Sequence, residues 1–161
     1  GAMSRRTVTV RRFVAAPPEE VFDLIADSSG WGRWALGIES EREAEGIDHP
    51  DGVGSIRKVG RPPVLSREEV TAFDPPHTLS YKLLTGLPLQ DYAAKVRVEP
   101  VAEGSLLTWE GSFVPVNVVQ AAGGAAALRA ALGGFCLSIG RYVSRDDGDD
   151  DTSVHEATSE D

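Results

Sequence analysis

The sequence predicts an α+β domain: one strand, two short helices, six further strands and one long helix, the antiparallel sheet curling over that last helix. Three observations carry the prediction. Apolar and polar residues alternate through seven short segments, as a half-buried strand requires. Brief turn signals separate six of those segments in succession, and connections that short favour antiparallel neighbours. Near the C-terminus, Leu128, Leu132, Phe135, Ile139 and Tyr142 recur at steps of four and three, one apolar stripe on a helix.

Taken in order, Thr7 to Ala15 ("TVTVRRFVA") alternates as a strand. "APPEEVFDLIAD" then begins a helix at its prolines, with acids in the first turn and Val21, Phe22, Leu24 and Ile25 as its buried stripe. "SSGWGRW" is a break followed by a short second helix or turn, which brings Trp31 and Trp34 together. The remaining predicted strands are Ile38 to Ala44, Val53 to Gly60, Val64 to Phe73, His77 to Thr85, Gln90 to Val101 and Ser105 to Val114. "HPDG", "RPP", "DPP", "GLP" and "AEG" mark their turns. A helix from about Val118 to Arg145 ends the fold.

That helix contains "AAGGAAALRAALGGF", with two Gly-Gly pairs and few large side chains. Each interior glycine costs a helix about 1 kcal/mol relative to alanine. Three readings offset the cost. Gly123-Gly124 kinks the helix or marks its true start, Gly133-Gly134 admits the short helices closely, or the bare surface leaves a cavity under the curled sheet.

Length and charge narrow the function classes. At 161 residues the chain makes one domain able to bury a core without disulfides, and its one cysteine, Cys136, reads as an apolar filler. Gly1-Ala2-Met3 reads as a tag scar, residues 4–144 as the domain and residues 145–161 as an acidic, solvated, flexible tail. The tail holds eight acids against Arg145 alone, a net −7 of the chain's −9. A body so near neutral argues against nucleic-acid binding. Gly111 to Leu128 carries no charge, but Pro115, Asn117, Gln120 and the glycines interrupt it, so no integral membrane segment is expected. With no signal peptide evident, a cytoplasmic protein is expected, and monomer and homodimer both stay open.

Side-chain alternation sorts the strands into faces. Leu79, Tyr81 and Leu83, then Tyr92, Ala94, Val96 and Val98, then Leu107, Trp109, Gly111 and Phe113, form the apolar inner face. Ser80, Lys82, Lys95, Arg97, Glu99, Thr108, Glu110 and Ser112 suit a solvated outer one. The expected ligand-contacting set is Trp34, Tyr81, Leu83, Tyr92, Val96, Trp109, Phe113, Leu132 and Phe135, with ordinary core packing as the competing reading. The direction of Arg57 and Glu68 stays open: both are surface charges, or they turn inward as a mutual pair or a ligand contact, since a buried charge needs a partner. Trp31 and Trp34 either close the pocket mouth or staple the short helices to the sheet. His49, His77 and His155 lack metal-ligand spacing, and no nucleophile elbow, phosphate loop or dinucleotide motif is present, so neither metal nor cofactor is expected.

Taken together, "APPEEVFDLIAD", "GWGRW", "GVGSIRKV", "EEVTAFDPPHTLSYKL" and "GSLLTWEGSFVP", ahead of a long helix, resemble the START-like, or SRPBCC, superfamily of helix-grip domains, close to its polyketide cyclase/dehydrase branch. The resemblance spans roughly Thr7 to Val143. It implies a seven-stranded curved sheet gripping the C-terminal helix and a hydrophobic ligand, lipids included, between them. It names no reaction, because such a fold hosts many. Three functions follow as expectations: a carrier, sensor or binding protein for a small hydrophobic or aromatic molecule; a cyclase, aromatase or dehydratase using Arg57, Glu68, Tyr81 or Tyr92 as proton donors and acceptors; or a protein-interaction module without a ligand.

Overall fold

The computed structural model describes residues 3–159, and the side chains of residues 3–145. Its elements are β1 (Arg6–Val14), α1 (Pro18–Ala26), a 3₁₀ turn (Trp31–Arg33), β2 (Glu39–Ala44), β3 (Ile56–Arg61), β4 (Val64–Asp74), β5 (Thr78–Thr85), β6 (Gln90–Val101), β7 (Gly104–Val114) and α2 (Val118–Ser159). Expectations for the acidic tail beyond Arg145 lie outside the described side chains. Among the described residues, seven strands form one antiparallel sheet in the order β1-β7-β6-β5-β4-β3-β2. This is the helix-grip architecture. The chain enters on one edge strand, crosses the concave face through α1 and the 3₁₀ turn, and returns on the other edge.

Local chemistry explains each placement. Pro17 caps α1 in an extended conformation and Pro18 occupies the first turn, where its missing N–H goes unneeded, with Glu19 and Glu20 beside the positive end of the helix. Val21, Phe22, Leu24 and Ile25 are buried against the sheet. On α2, Leu128, Leu132, Cys136, Ile139 and Val143 make the buried stripe. Burial pushes the Cys136 thiol up to about 12, which leaves it an inert filler. The Val118–Arg145 stretch is long and apolar enough to cross a membrane by composition, and here it is the core helix gripped by the sheet.

Two expectations change. β3 begins at Ile56 instead of Val53, because Gly54 takes φ +89° and breaks the extended run; Val53 is exposed on the loop before it. Thr108, expected on the solvated face, is buried: it lies between Arg11 and Arg97 in the pairing register, whose long stems can cover it.

The glycines of α2 divide. A side chain at Gly124 would meet the Phe113 ring at 2.9 Å, so this glycine permits a close approach of helix to sheet. Around Gly123, Gly133 and Gly134 nothing lies within 4 Å. Gly133 and Gly134 therefore do not admit the short helices, and neither lines the cavity described next.

Candidate functional site

The C-terminal end of α1 organises the site. The last carbonyls of a helix lack intrahelical donors and carry partial negative charge. Here side chains supply the donors. Trp34 Nε1 donates to the Leu24 carbonyl at 2.9 Å, while Trp31 Nε1 (3.0 Å) and Arg57 Nη1 (2.9 Å) both donate to the Ile25 carbonyl. Both tryptophans thus staple α1, and their rings meet at a tilt of 44° with centroids 4.9 Å apart. Trp31 also meets Trp109 and Phe135 edge-on at 5.7 and 5.2 Å, which joins the short elements to β7 and α2.

Arg57, on the inner face of β3, is fully buried. Its guanidinium carbon lies 4.9 Å from the Trp31 ring centroid and 5.1 Å from that of Tyr81. Its register partner on β4 is Glu68, also buried, with Arg57 Nε 3.7 Å from Glu68 Oε1. That is an ion-pair separation, too long for a hydrogen bond. Arg57 Nε, Arg57 Nη2 and Glu68 Oε1 accordingly have no hydrogen-bond partner.

Ser66, two residues earlier on the same face, completes the cluster. Its Oγ lies 2.9 Å from the Val59 carbonyl and 3.1 Å from Glu68 Oε2. A hydroxyl has one proton to give. When that proton goes to Val59, Oε2 must supply the proton for its own contact with Ser66, so the geometry accommodates a neutral Glu68. Burial pushes the Glu68 carboxyl above its ordinary value, outweighing the opposing pull of Arg57 and the Ser66 hydrogen bond.

Tyr81 and Tyr92, on β5 and β6, face the same space with centroids 6.3 Å apart. Tyr81 accepts a hydrogen bond from Trp109 Nε1 at 3.1 Å, and its ring meets that of Tyr92 edge-on. Burial first, and the neighbouring tyrosine and Glu68 after it, push the Tyr81 hydroxyl well above its usual range; burial and Glu68 raise Tyr92.

Over this cluster lies a cavity of about 220 Å³. Trp31, Tyr81, Tyr92, Leu128, Leu132 and Phe135 form most of its apolar wall, Ser66 and Glu68 its polar patch, and Gly60, Arg61, Val64, Leu87 and Ala131 its rim. The four candidate acid-base residues are brought together: Glu68, Tyr81 and Tyr92 on the wall, and Arg57 behind them between Trp31 and Tyr81. Of the expected ligand-contacting residues, Tyr81, Tyr92, Leu132 and Phe135 line the cavity. The wall does not include Trp34, Leu83, Val96, Trp109 or Phe113. Trp34 is engaged with α1, Leu83 packs on the core, Val96 is fully buried, Trp109 stands behind Tyr81, and Phe113 meets Gly124.

Ser66, Leu128 and Ala131 line the cavity without having been singled out for it. For Leu128 the apolar stripe was a signal; a serine on a strand gave none. His77 is exposed at the β4–β5 turn, away from this wall. Among the described residues, no group of three His, Cys, Asp or Glu side chains is placed to hold a metal ion.

Residues 5–137 match the family described as polyketide cyclase / dehydrase and lipid transport. The chain belongs to that family. It is a branch of the START-like SRPBCC superfamily, and the fold agrees with it. Among curated proteins, none matches the sequence. Solved structures share its fold at low identity. Protein MLL2253 from Mesorhizobium loti has a TM-score of 0.69 at 19% identity, over 87% of this chain and 98% of its own. Ara h 8.0201 has a TM-score of 0.65 at 17% identity, over 88% of this chain and 99% of its own. DynU16, a protein of the dynemicin biosynthetic locus, has a TM-score of 0.66 at 20% identity, over 86% of this chain and 47% of its own. Likeness at this level establishes the family's fold and leaves ligand and reaction to the site itself.

Proposed function

We propose that this protein binds a small, largely apolar molecule in the cavity between the sheet and α2, as a carrier, sensor or binding protein. The observation that carries the reading is the cavity: about 220 Å³ walled by aromatic and aliphatic side chains, with one polar patch at Ser66 and Glu68. Apolar walls supply affinity through burial, and a few placed polar groups orient what is bound. Native mass spectrometry of the purified protein, followed by extraction under denaturing conditions, tests it. A defined small molecule that co-purifies and raises the melting temperature when added back supports the reading. An empty protein that ignores aromatic and lipid-like compounds alike moves the weight to a protein-interaction module.

One observation favours a second reading, a cyclase- or dehydratase-like enzyme. Glu68 is a buried carboxyl with a raised proton affinity, on the wall, beside a buried guanidinium. Such a group is poised to take or give a proton at an enolising carbon. Under this reading Glu68→Gln abolishes turnover of a bound β-ketone while leaving its affinity within a few fold. Under the binding reading no turnover exists to lose.

A further inference from the structure

The fold of a single copy gives Gly123, Gly133 and Gly134 no task. Glycine weakens a helix, and around these three nothing lies within 4 Å. They belong to a pattern. Val119, Gly123, Ala126, Ala130, Gly133 and Leu137 recur at steps of four, three, four, three and four, the spacing of a coiled-coil seam. The first four are exposed and the last two half-buried, on the side of α2 opposite the gripped stripe of Leu128, Leu132, Ile139 and Val143. Exposed helix faces ordinarily carry charge. From Val118 to Gly140 the one charged residue is Arg129, which stands about 100° round the helix from Ala130, on the flank of the seam.

A helix with apolar residues on two sides calls for two neighbours, and the shape of the outer seam says what the second is. Ala130, Gly133, Gly134 and Leu137 stand at i, i+3, i+4 and i+7, the corners of a hole of which two are bare. Val119, 82% exposed, is a knob without a hole. Two copies of α2 packed antiparallel about an axis at Ala126 and Ala127 lay Val119 of each over the Gly133-Gly134 pair of the other. The same register sets Gly123 against Ala130 and brings Val116, also exposed, to Leu137. The face is thus its own complement, as a two-fold dimer demands. A parallel pairing fails: valine meets valine, glycine faces glycine across a void, and two C-terminal segments, residues 145–161 at net −7 each, lie side by side. A lipid surface fits poorly, because glycine and alanine offer it little apolar area and interfacial helices carry large apolar side chains.

The area is sufficient. From Val119 to Leu137 the seam runs about 27 Å, and covering half of a helix about 10 Å across over that length, with Val116 and Val118 at its end, buries roughly 1,000 Å² over both copies. That reaches the lower bound of specific interfaces, where association is weak and reversible. We propose that the chain forms a reversible two-fold dimer through the outward seam of α2, the two helices antiparallel and each Val119 seated on the other copy's Gly133-Gly134 pair. The cavity plays no part in this, since Leu128, Leu132 and Phe135 line it from the other side of the helix.

Sedimentation velocity of the full chain, from low micromolar to several hundred micromolar, tests the dimer. Wild type should pass from monomer to dimer across that range. Ala126→Glu places two like charges at the axis, and should weaken association at least about a hundredfold. Dilute samples, where single copies prevail, report the fold alone, and there Ala126→Glu should melt with wild type because Ala126 is exposed. Orientation is read by oxidative cross-linking: Val119→Cys with Gly134→Cys should give a covalent dimer, and Val119→Cys alone should not. A wild type that stays monomeric throughout overturns the proposal, as does a dimer that survives Ala126→Glu. Cross-linking by Val119→Cys alone overturns the antiparallel arrangement. A monomer that sediments with phosphatidylcholine vesicles, and ceases to with Ala126→Glu, gives the face to a membrane instead.

Discussion

A charged side chain buried inside a small domain is held by everything around it, and Arg57 illustrates how. Its guanidinium is fixed by a helix-end carbonyl, two aromatic faces and the Glu68 carboxyl. Removing one partner of such a pair strands the other, at a cost of about 3–5 kcal/mol, whereas replacing both with apolar residues is often neutral. Arg57→Met is therefore expected to lower stability by about that much. Arg57→Met with Glu68→Leu should recover most of it, because Trp31 Nε1 still satisfies the Ile25 carbonyl at 3.0 Å. Chemical denaturation of wild type, single and double variants checks this, and a double variant no more stable than the single one would contradict it. Glu68 alone gives a second expectation. Burial raises its proton affinity in the folded state, so the stabilisation from its protonated form is complete below the ordinary value of 4.5 and is lost as pH rises through the higher folded one. Wild type should lose stability relative to Glu68→Gln as pH rises from 4.5 towards neutrality, and a difference independent of pH would refute it. The sequence left the direction of Glu68 open for a physical reason. The strand β4 carries a bulge between Val70 and Ala72, so Ser66, Glu68 and Val70 share the inner face while Phe73, of opposite parity, also turns inward onto Phe22. Parity cannot be read through an inserted residue.

At the scale of elements, alternation and turn chemistry were enough to place the strands and the long helix, because each reports a local periodicity that the fold did not override. The meaning of the α2 glycines was not legible, since it depends on what stands opposite each one. The structure separates them, and their substitutions should differ in sign. Gly133→Ala and Gly134→Ala add a methyl group into open space and remove the flexibility of glycine, so each should stabilise the protein by up to about 1 kcal/mol. Neither residue lines the cavity, so affinity for a cavity ligand should stay unchanged. Gly124→Ala pushes a methyl group to 2.9 Å from the Phe113 ring, and should destabilise despite its better helix propensity. Thermal melts of the three variants decide it. Stabilisation by all three would mean that the Phe113 contact yields freely, and destabilisation by Gly133→Ala would mean that the helix surface there is covered.

The whole molecule has a cavity where side chains fill the space between sheet and α2 at one end and leave it open at the other. Towards the end of α1, Trp31, Trp34, Trp109 and Phe135 fill the gap between them. Towards the β3–β4 turn and Leu87 the space stays unfilled. Sequence could name the face a side chain belongs to, yet not whether its neighbours close over it. That is why Trp109, Val96 and Phe113 were as plausible on the wall as Tyr81 and Tyr92, although only the tyrosines reach it. If the space is the ligand site, closing its mouth should abolish binding and spare the fold. Ala131 is the position for this, an exposed residue of α2 at the rim whose replacement need not disturb the buried stripe. A ligand held at a hundred times its dissociation constant should stabilise wild type by about 2.7 kcal/mol. Ala131→Trp, with an indole laid across the rim, should melt close to wild type when unliganded and lose most of that gain. Should Ala131→Trp keep the full ligand-induced shift, the ligand sits elsewhere, and the polar patch at Ser66 and Glu68 would then be an unsatisfied feature of the core with no bound molecule to complete it.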